Sequence, residues 1–253
     1  MQRIGYWLTS KSAMDTLKIG QRIKSAENGP PWIIVDENIQ SVIVTAASWP
    51  CSLWSARVIK LGDMSGLIAN PGYWRANEIE LIEELPAGTL FGEQGDKIAS
   101  LLDQVKTLTL SEVDELNANM AENDKAKEVW KRAWNCWNEN QKYPRSHTYD
   151  DGMTLASPGN RDKEMSPANH GFLLMHDLFF QRARELEGHD AFIEVIEYGE
   201  TEIELKQNWK AACEAFLQKA MGLSMAQHLS AVECATLSRV WSTVYGQEKE
   251  GIS

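Results

Sequence analysis

Glu78-Ile79-Glu80-Leu81-Ile82-Glu83 alternates carboxylates with aliphatic side chains. Successive side chains on a strand point to opposite faces, so the run predicts a strand with Ile79 and Leu81 turned inward and Glu78 and Glu80 in water. The carboxylates at Glu78, Glu80, Glu83 and Glu84 are therefore assigned to solvent rather than to a paired acid/base site.

The β signal continues upstream. Trp32-Ile33-Ile34-Val35 and Val42-Ile43-Val44-Thr45 are short β-branched runs separated by the polar stretch Asp36 to Gln40, which predicts a hairpin, and Leu53 to Leu61 adds a further strand. An antiparallel sheet of three to five strands is expected. Before it, Ser12 and Asp15 stand at capping-box spacing, and Met14, Leu17, Ile23 and Ala26 follow at helical intervals. They predict a first helix near 13–26 that Asn28-Gly29-Pro30-Pro31 ends.

Downstream the period changes. Ile98, Leu101, Leu102 and Val105 fit one helix, and Ser111 with Asp114 gives capping-box spacing at the head of a long helical run that Asn123-Asp124 can break. Trp130, Trp134 and Trp137 are four and three apart, which places three indoles on one helix face as a core stripe. Ser166-Pro167 opens another helix, with Pro at the first helical position, and Gly188 stops it. Phe192 to Ile196 and Glu202 to Leu205 predict a small hairpin. Two closing helices are read at about Asn208 to Met221, ended by Gly222, and Ser230 to Tyr245, ended by Gly246, the second opened by Ser230 with Glu233.

The fold class is α+β, a small antiparallel sheet with flanking helices followed by a mainly helical part. The join is placed at Thr107 to Leu110, giving parts over 1–108 and 109–253. Hydrophobic residues at 43% and charged residues at 24% lie in the globular range, and ten tryptophans supply both parts with large core side chains. Of the net charge of −11, residues 1–105 carry −3 and residues 106–253 carry −8. That surface repels phosphate backbones, and no Lys/Arg stripe overrides it, so nucleic acid is not an expected partner.

Cys51, Cys136, Cys213 and Cys234 are scattered, with no CxxC pair and no histidine at zinc-finger spacing. No apolar run approaches the roughly 20 residues that span a bilayer, and the apolar start is too short for a leader. A cytoplasmic protein with reduced thiols, no membrane contact, no metal and no cofactor is expected. No GxSxG elbow, GxGxxG fingerprint or Walker loop occurs.

Two groups of residues could carry function. Residues 143–171 form a long polar loop in which His147, Asp150, Asp151 and His170 are the catalytic candidates and Arg145 and Arg161 could hold an anionic group. His176 and Asp177 follow on the next helix, and a lone helical histidine there reads as a satisfied core residue. The second group is aromatic: Trp49, Trp54, Tyr73 and Trp74, a recognition patch if exposed and caps on the sheet if not. With no complete catalytic constellation, the leading expectation is a non-enzymatic protein-binding module of the inhibitor, immunity-factor or adaptor kind, binding another protein with a basic surface. The alternative is a hydrolase or transferase with a loop-borne His/Asp acid-base or metal site.

Overall fold

The computed structural model describes residues 2–10, 17–25, 30–39, 42, 49–65, 72–120, 124–139, 167–197 and 200–246; the side chains of 124, 135–139, 167–175, 197 and 200 lie outside that description. The N-terminal part is an antiparallel sheet of five strands: β1 (Ile4–Ser10), β2 (Arg22–Lys24), β3 (Ile33–Asp36), β4 (Cys51–Leu61) and β5 (Tyr73–Leu85). The sheet closes into a small barrel. β5 pairs with β4 along one edge and with β3 and β2, end to end, along the other, while β1 pairs with β4 and meets β3 at Tyr6↔Asp36. Closure consumes the sheet edges that would otherwise invite another chain.

Gly5 makes that closure possible. A Cβ there would sit 2.3 Å from the Asp36 carbonyl oxygen and 2.9 Å from Val35 Cγ1, so only a residue without a side chain lets β1 and β3 approach. The long strands bend through bulges. Asn77 is passed over where Lys60 pairs with Glu78 and Leu61 with Ala76, and Asn77 Nδ2 donates to the Leu61 carbonyl at 3.3 Å. The extra residue resets the alternation on β5, so that Trp74 and Ala76 before it and Ile79 and Leu81 after it all face the barrel interior with Val35, Trp54 and Ala56. As the alternation predicts, Glu78 and Glu80 face out, where Arg22 and Lys24 reach Glu78 and Arg57 pairs with Glu80 at 3.0 Å.

Among the described residues six helices follow: α1 (Gly95–Thr107), α2 (Leu110–Met120), α3 (Asp124–Glu139), α4 (Pro167–Glu187), α5 (Gln207–Ser224) and α6 (Ala231–Tyr245), with a hairpin of β6 (Phe192–Glu197) and β7 (Glu200–Leu205) between α4 and α5. α5 is the central helix, buried on nearly all sides and packed against α1, α2, α3, α4 and α6. Trp209 and Trp241 are fully buried, and each indole N–H finds a side-chain acceptor, Glu187 at 2.5 Å and Gln104 at 2.9 Å. Trp130 and Trp134 are buried and stacked 6.0 Å apart, in keeping with the predicted core stripe; the Trp137 side chain is outside the description. The Ser230–Glu233 capping box forms, and Gly246 and Gly188 end their helices at positive φ.

Four expectations need correction. The described part of the predicted helix 13–26 is a turn at Gly20, with φ 80°, and strand β2. Leu17 and Ile23 do pack into the barrel core, but from a turn and a strand rather than from one helix face. The predicted hairpin of 32–35 with 42–45 does not form in its described residues: β3 pairs with β5 and β1, and Val42 is buried outside any strand. The cap of α2 is Thr109 with Glu112, whose carboxylate accepts from the Thr109 backbone N–H at 2.7 Å, not Ser111 with Asp114. Gly222 does not stop α5, which runs to Ser224; it is buried where α6 crosses, and a Cβ there would stand 3.5 Å from both the Cys234 carbonyl oxygen and Leu237 Cβ.

The proposed join at Thr107 to Leu110 is the short connection between α1 and α2, and Ile98 to Val105 share one core with Val113 and Leu116. That core also takes in Cys51 and Leu53 from β4 and Leu90 and Phe91 from the 3-10 turn Ala87–Phe91.

Candidate functional site

The β6–β7 hairpin is anchored at its base, where Leu205 and Phe192 join the helical core, and carries Ile193, Ile196 and Ile203 exposed beyond it. Gly188, at φ 62°, turns the chain out of α4, and the Lys206 N–H donates to the Ala191 carbonyl at 2.8 Å to close the base. Phe192 and Leu205 are cross-strand partners and anchor that base: Leu205 is buried, and Phe192 meets Phe180 at 5.4 Å with the Arg184 guanidinium 5.6 Å over its ring. His176 stacks behind Phe180 at 4.8 Å.

Beyond the base the register is Ile193↔Glu204, Glu194↔Ile203, Val195↔Glu202 and Ile196↔Thr201, so each face mixes aliphatic and acidic positions. Ile196 is 76% exposed, Ile203 59% and Ile193 42%. The twelve strand residues include five glutamates and no lysine or arginine. Glu204 is in contact with Lys210 of α5 at the base, whereas Glu194 and Glu202 project into water. The sheet has only these two strands, so its outer edges carry backbone groups with no strand partner among the described residues. Exposed isoleucine on an open two-stranded edge favours association, and charge on the same strands opposes it.

The residues singled out from sequence fare differently. Trp49 is 7% exposed and Trp54 2%, and they occupy different cores: Trp49 lies in the helical core against Phe91, its N–H donating to Asp103 at 2.9 Å, and Trp54 lies inside the barrel. Tyr73 and Trp74 are half-buried at the start of β5. The four do not assemble into an exposed aromatic patch, because Trp49 and Trp54 are buried in separate cores and Trp74 packs against the barrel core. His147, Asp150, Asp151, Arg145 and Arg161 lie outside the described residues. His170 is in the first turn of α4, and its side chain is outside them too.

Sequence reading missed the exposure of Ile193, Ile196 and Ile203. The available signal was the hairpin's composition, five glutamates without one balancing cation.

Other ionisable groups sit in supporting positions. Burial pushes the Glu214 carboxyl up, with Lys127 and the Gln218 amide pulling the other way; Gln218 Nε2 donates to Glu214 Oε1 at 3.2 Å. Burial pushes the His176 imidazole down against the opposing pull of Asp177, which fits a packed ring. The Cys213 thiol is pushed up to about 12 by burial and is inert as a nucleophile. Among the described residues no three His, Cys, Asp or Glu side chains are grouped to hold a metal ion, and no helix is long and apolar enough to cross a membrane. No protein-family model, curated protein or solved structure matches this chain.

Proposed function

We propose that this chain is a protein-binding module, of the inhibitor or adaptor kind, that docks through the β6–β7 hairpin onto a basic, partly apolar protein surface. The observation that carries the reading is the exposure of Ile193, Ile196 and Ile203 on strands that hold five glutamates and no cation. Aliphatic side chains supply contact area, and the carboxylates select a cationic surface and speed encounter. The rigid base, with Leu205 buried and Phe192 clamped, holds the arm ready-shaped, so little ordering entropy opposes binding. An open edge also allows main-chain pairing with an added strand. The binding surface is thus aliphatic and acidic rather than aromatic.

The test is affinity capture from the cell of origin with the parent chain and with Ile196→Asp/Ile203→Asp and Glu194→Lys/Glu202→Lys variants. Partners retained by the parent and lost by both variants are expected. The same partners retained by both variants would exclude the hairpin as the docking element.

A further inference from the structure

Taken alone, β7 sorts its positions by face. Glu200, Glu202 and Glu204 alternate with Thr201, Ile203 and Leu205, so the acidic positions fall on one side of the strand and the aliphatic ones on the other. β6 does not sort this way, because Glu194 shares a side with Phe192 and Ile196.

The phase of the ladder fixes which backbone groups of β7 look outward. The Lys206 N–H donates to the Ala191 carbonyl at 2.8 Å, which makes 191 and 206 a hydrogen-bonded pair. In an antiparallel ladder such pairs recur at every second position, so Ile193↔Glu204 and Val195↔Glu202 bond across the hairpin, while Thr201 and Ile203 turn their N–H and C=O groups away from β6. Both residues are exposed, and among the described residues their outward backbone groups have no hydrogen-bond partner.

We infer that β7 accepts an added antiparallel strand from a partner protein, an extended segment that alternates lysine or arginine with aliphatic residues. This rests on the reading of the hairpin as the docking element and specifies how it docks. Residues of the added strand opposite Thr201 and Ile203 exchange hydrogen bonds with them and place their side chains on the isoleucine side, where aliphatic groups fit. The residues between them fall on the glutamate side, where cations fit: Glu202 is exposed with no ion pair among the described residues, whereas Glu204 is already in contact with Lys210. A second copy of β7 does not suit this edge, because its own glutamates would stand against these.

Fluorescence anisotropy of a labelled eight-residue peptide, Lys-Val repeated four times, titrated with the full chain at physiological salt tests this. Binding is expected. N-methylation at every valine blocks the amides that face β7 and should weaken binding by at least about tenfold, the loss of two or more hydrogen bonds. N-methylation at every lysine leaves those amides free and should change it by less than about threefold. Glu202→Lys should weaken binding of the unmodified peptide by about two- to fivefold. Because the decisive change is made in the peptide, the folding of a variant does not enter the comparison. An unmodified peptide that fails to bind overturns the inference, as does any pattern in which valine methylation is not the more damaging of the two. In either case, loss of captured partners in the hairpin variants would keep the hairpin as a docking element acting through its side chains, so the two readings fail separately.

Discussion

The molecule handles β-structure in two opposite ways. In the barrel the strands close on one another, Ile79, Leu81 and Trp54 are sealed inside, and the outward Glu78 and Glu80 are matched by Arg22, Lys24 and Arg57. In the β6–β7 hairpin both outer edges lack a strand partner among the described residues, isoleucines stand in water, and the strands hold five glutamates and no cation. The same residue types therefore mean different things. Buried in a closed ring they contribute stability, while on an open arm they contribute little to the fold.

Stability measurements on single variants can sharpen or break that contrast, beginning where the effect is largest. Ile79→Ala in the barrel interior is expected to cost about 2–5 kcal/mol by chemical denaturation, since it removes buried methylenes and leaves a cavity. Gly5→Ala should cost at least about 1–3 kcal/mol, because the new methyl group meets the Asp36 carbonyl of the closing strand. A wild-type midpoint in either variant would mean that the ring does not hold the barrel together.

Glu214 gives the contrast a pH dependence. Its carboxyl is raised by burial. A raised carboxyl favours the folded state only while protonated, so its contribution is fully present below 4.5 and is lost as pH rises through the folded-state value. Glu214→Gln, which cannot ionise, should melt above the parent at about pH 8, and the gap should close as pH falls toward 4.5. A gap independent of pH would rule out the burial account.

Smaller effects belong to the surface. Arg57→Ala removes a half-exposed ion pair with Glu80 and is expected to cost less than about 1 kcal/mol. Ile196→Asp should change stability by no more than about 0.5 kcal/mol while abolishing partner capture. If it unfolds the chain instead, the arm is part of the core and the comparison fails.

Much of the fold was legible because local patterns happened to agree with tertiary ones. Glu78 to Glu83 alternates as its barrel environment requires, and Ser230 with Glu233 and Gly246 mark the ends of α6 through backbone chemistry that acts within a few residues. The misreadings share a cause. Leu17 and Ile23 are spaced for a helix but reach one core through a turn, and the mark that decided it was Gly20 at positive φ. Gly222 resembles a helix stop but lies inside α5, buried where α6 crosses, and nothing in the local sequence marks the helix as continuing to Ser224. β1 was passed over because Ile4 to Ser10 has no turn signal of its own and becomes a strand by pairing with β4, some fifty residues away. At the candidate site the strands could be read, but not their exposure, which depends on which elements fail to cover them.

β4 carries a further consequence for how the chain folds. Cys51 and Leu53 lie in the helical core while Trp54 and Ala56 lie in the barrel, so one strand is a shared wall between two compartments. Neither compartment is complete without it. Cutting the chain at residue 108 would strip the helices of that wall and leave the barrel with an uncovered apolar side, giving two fragments prone to aggregate rather than two domains. The intact chain should accordingly unfold in one cooperative transition, with barrel and helices lost together.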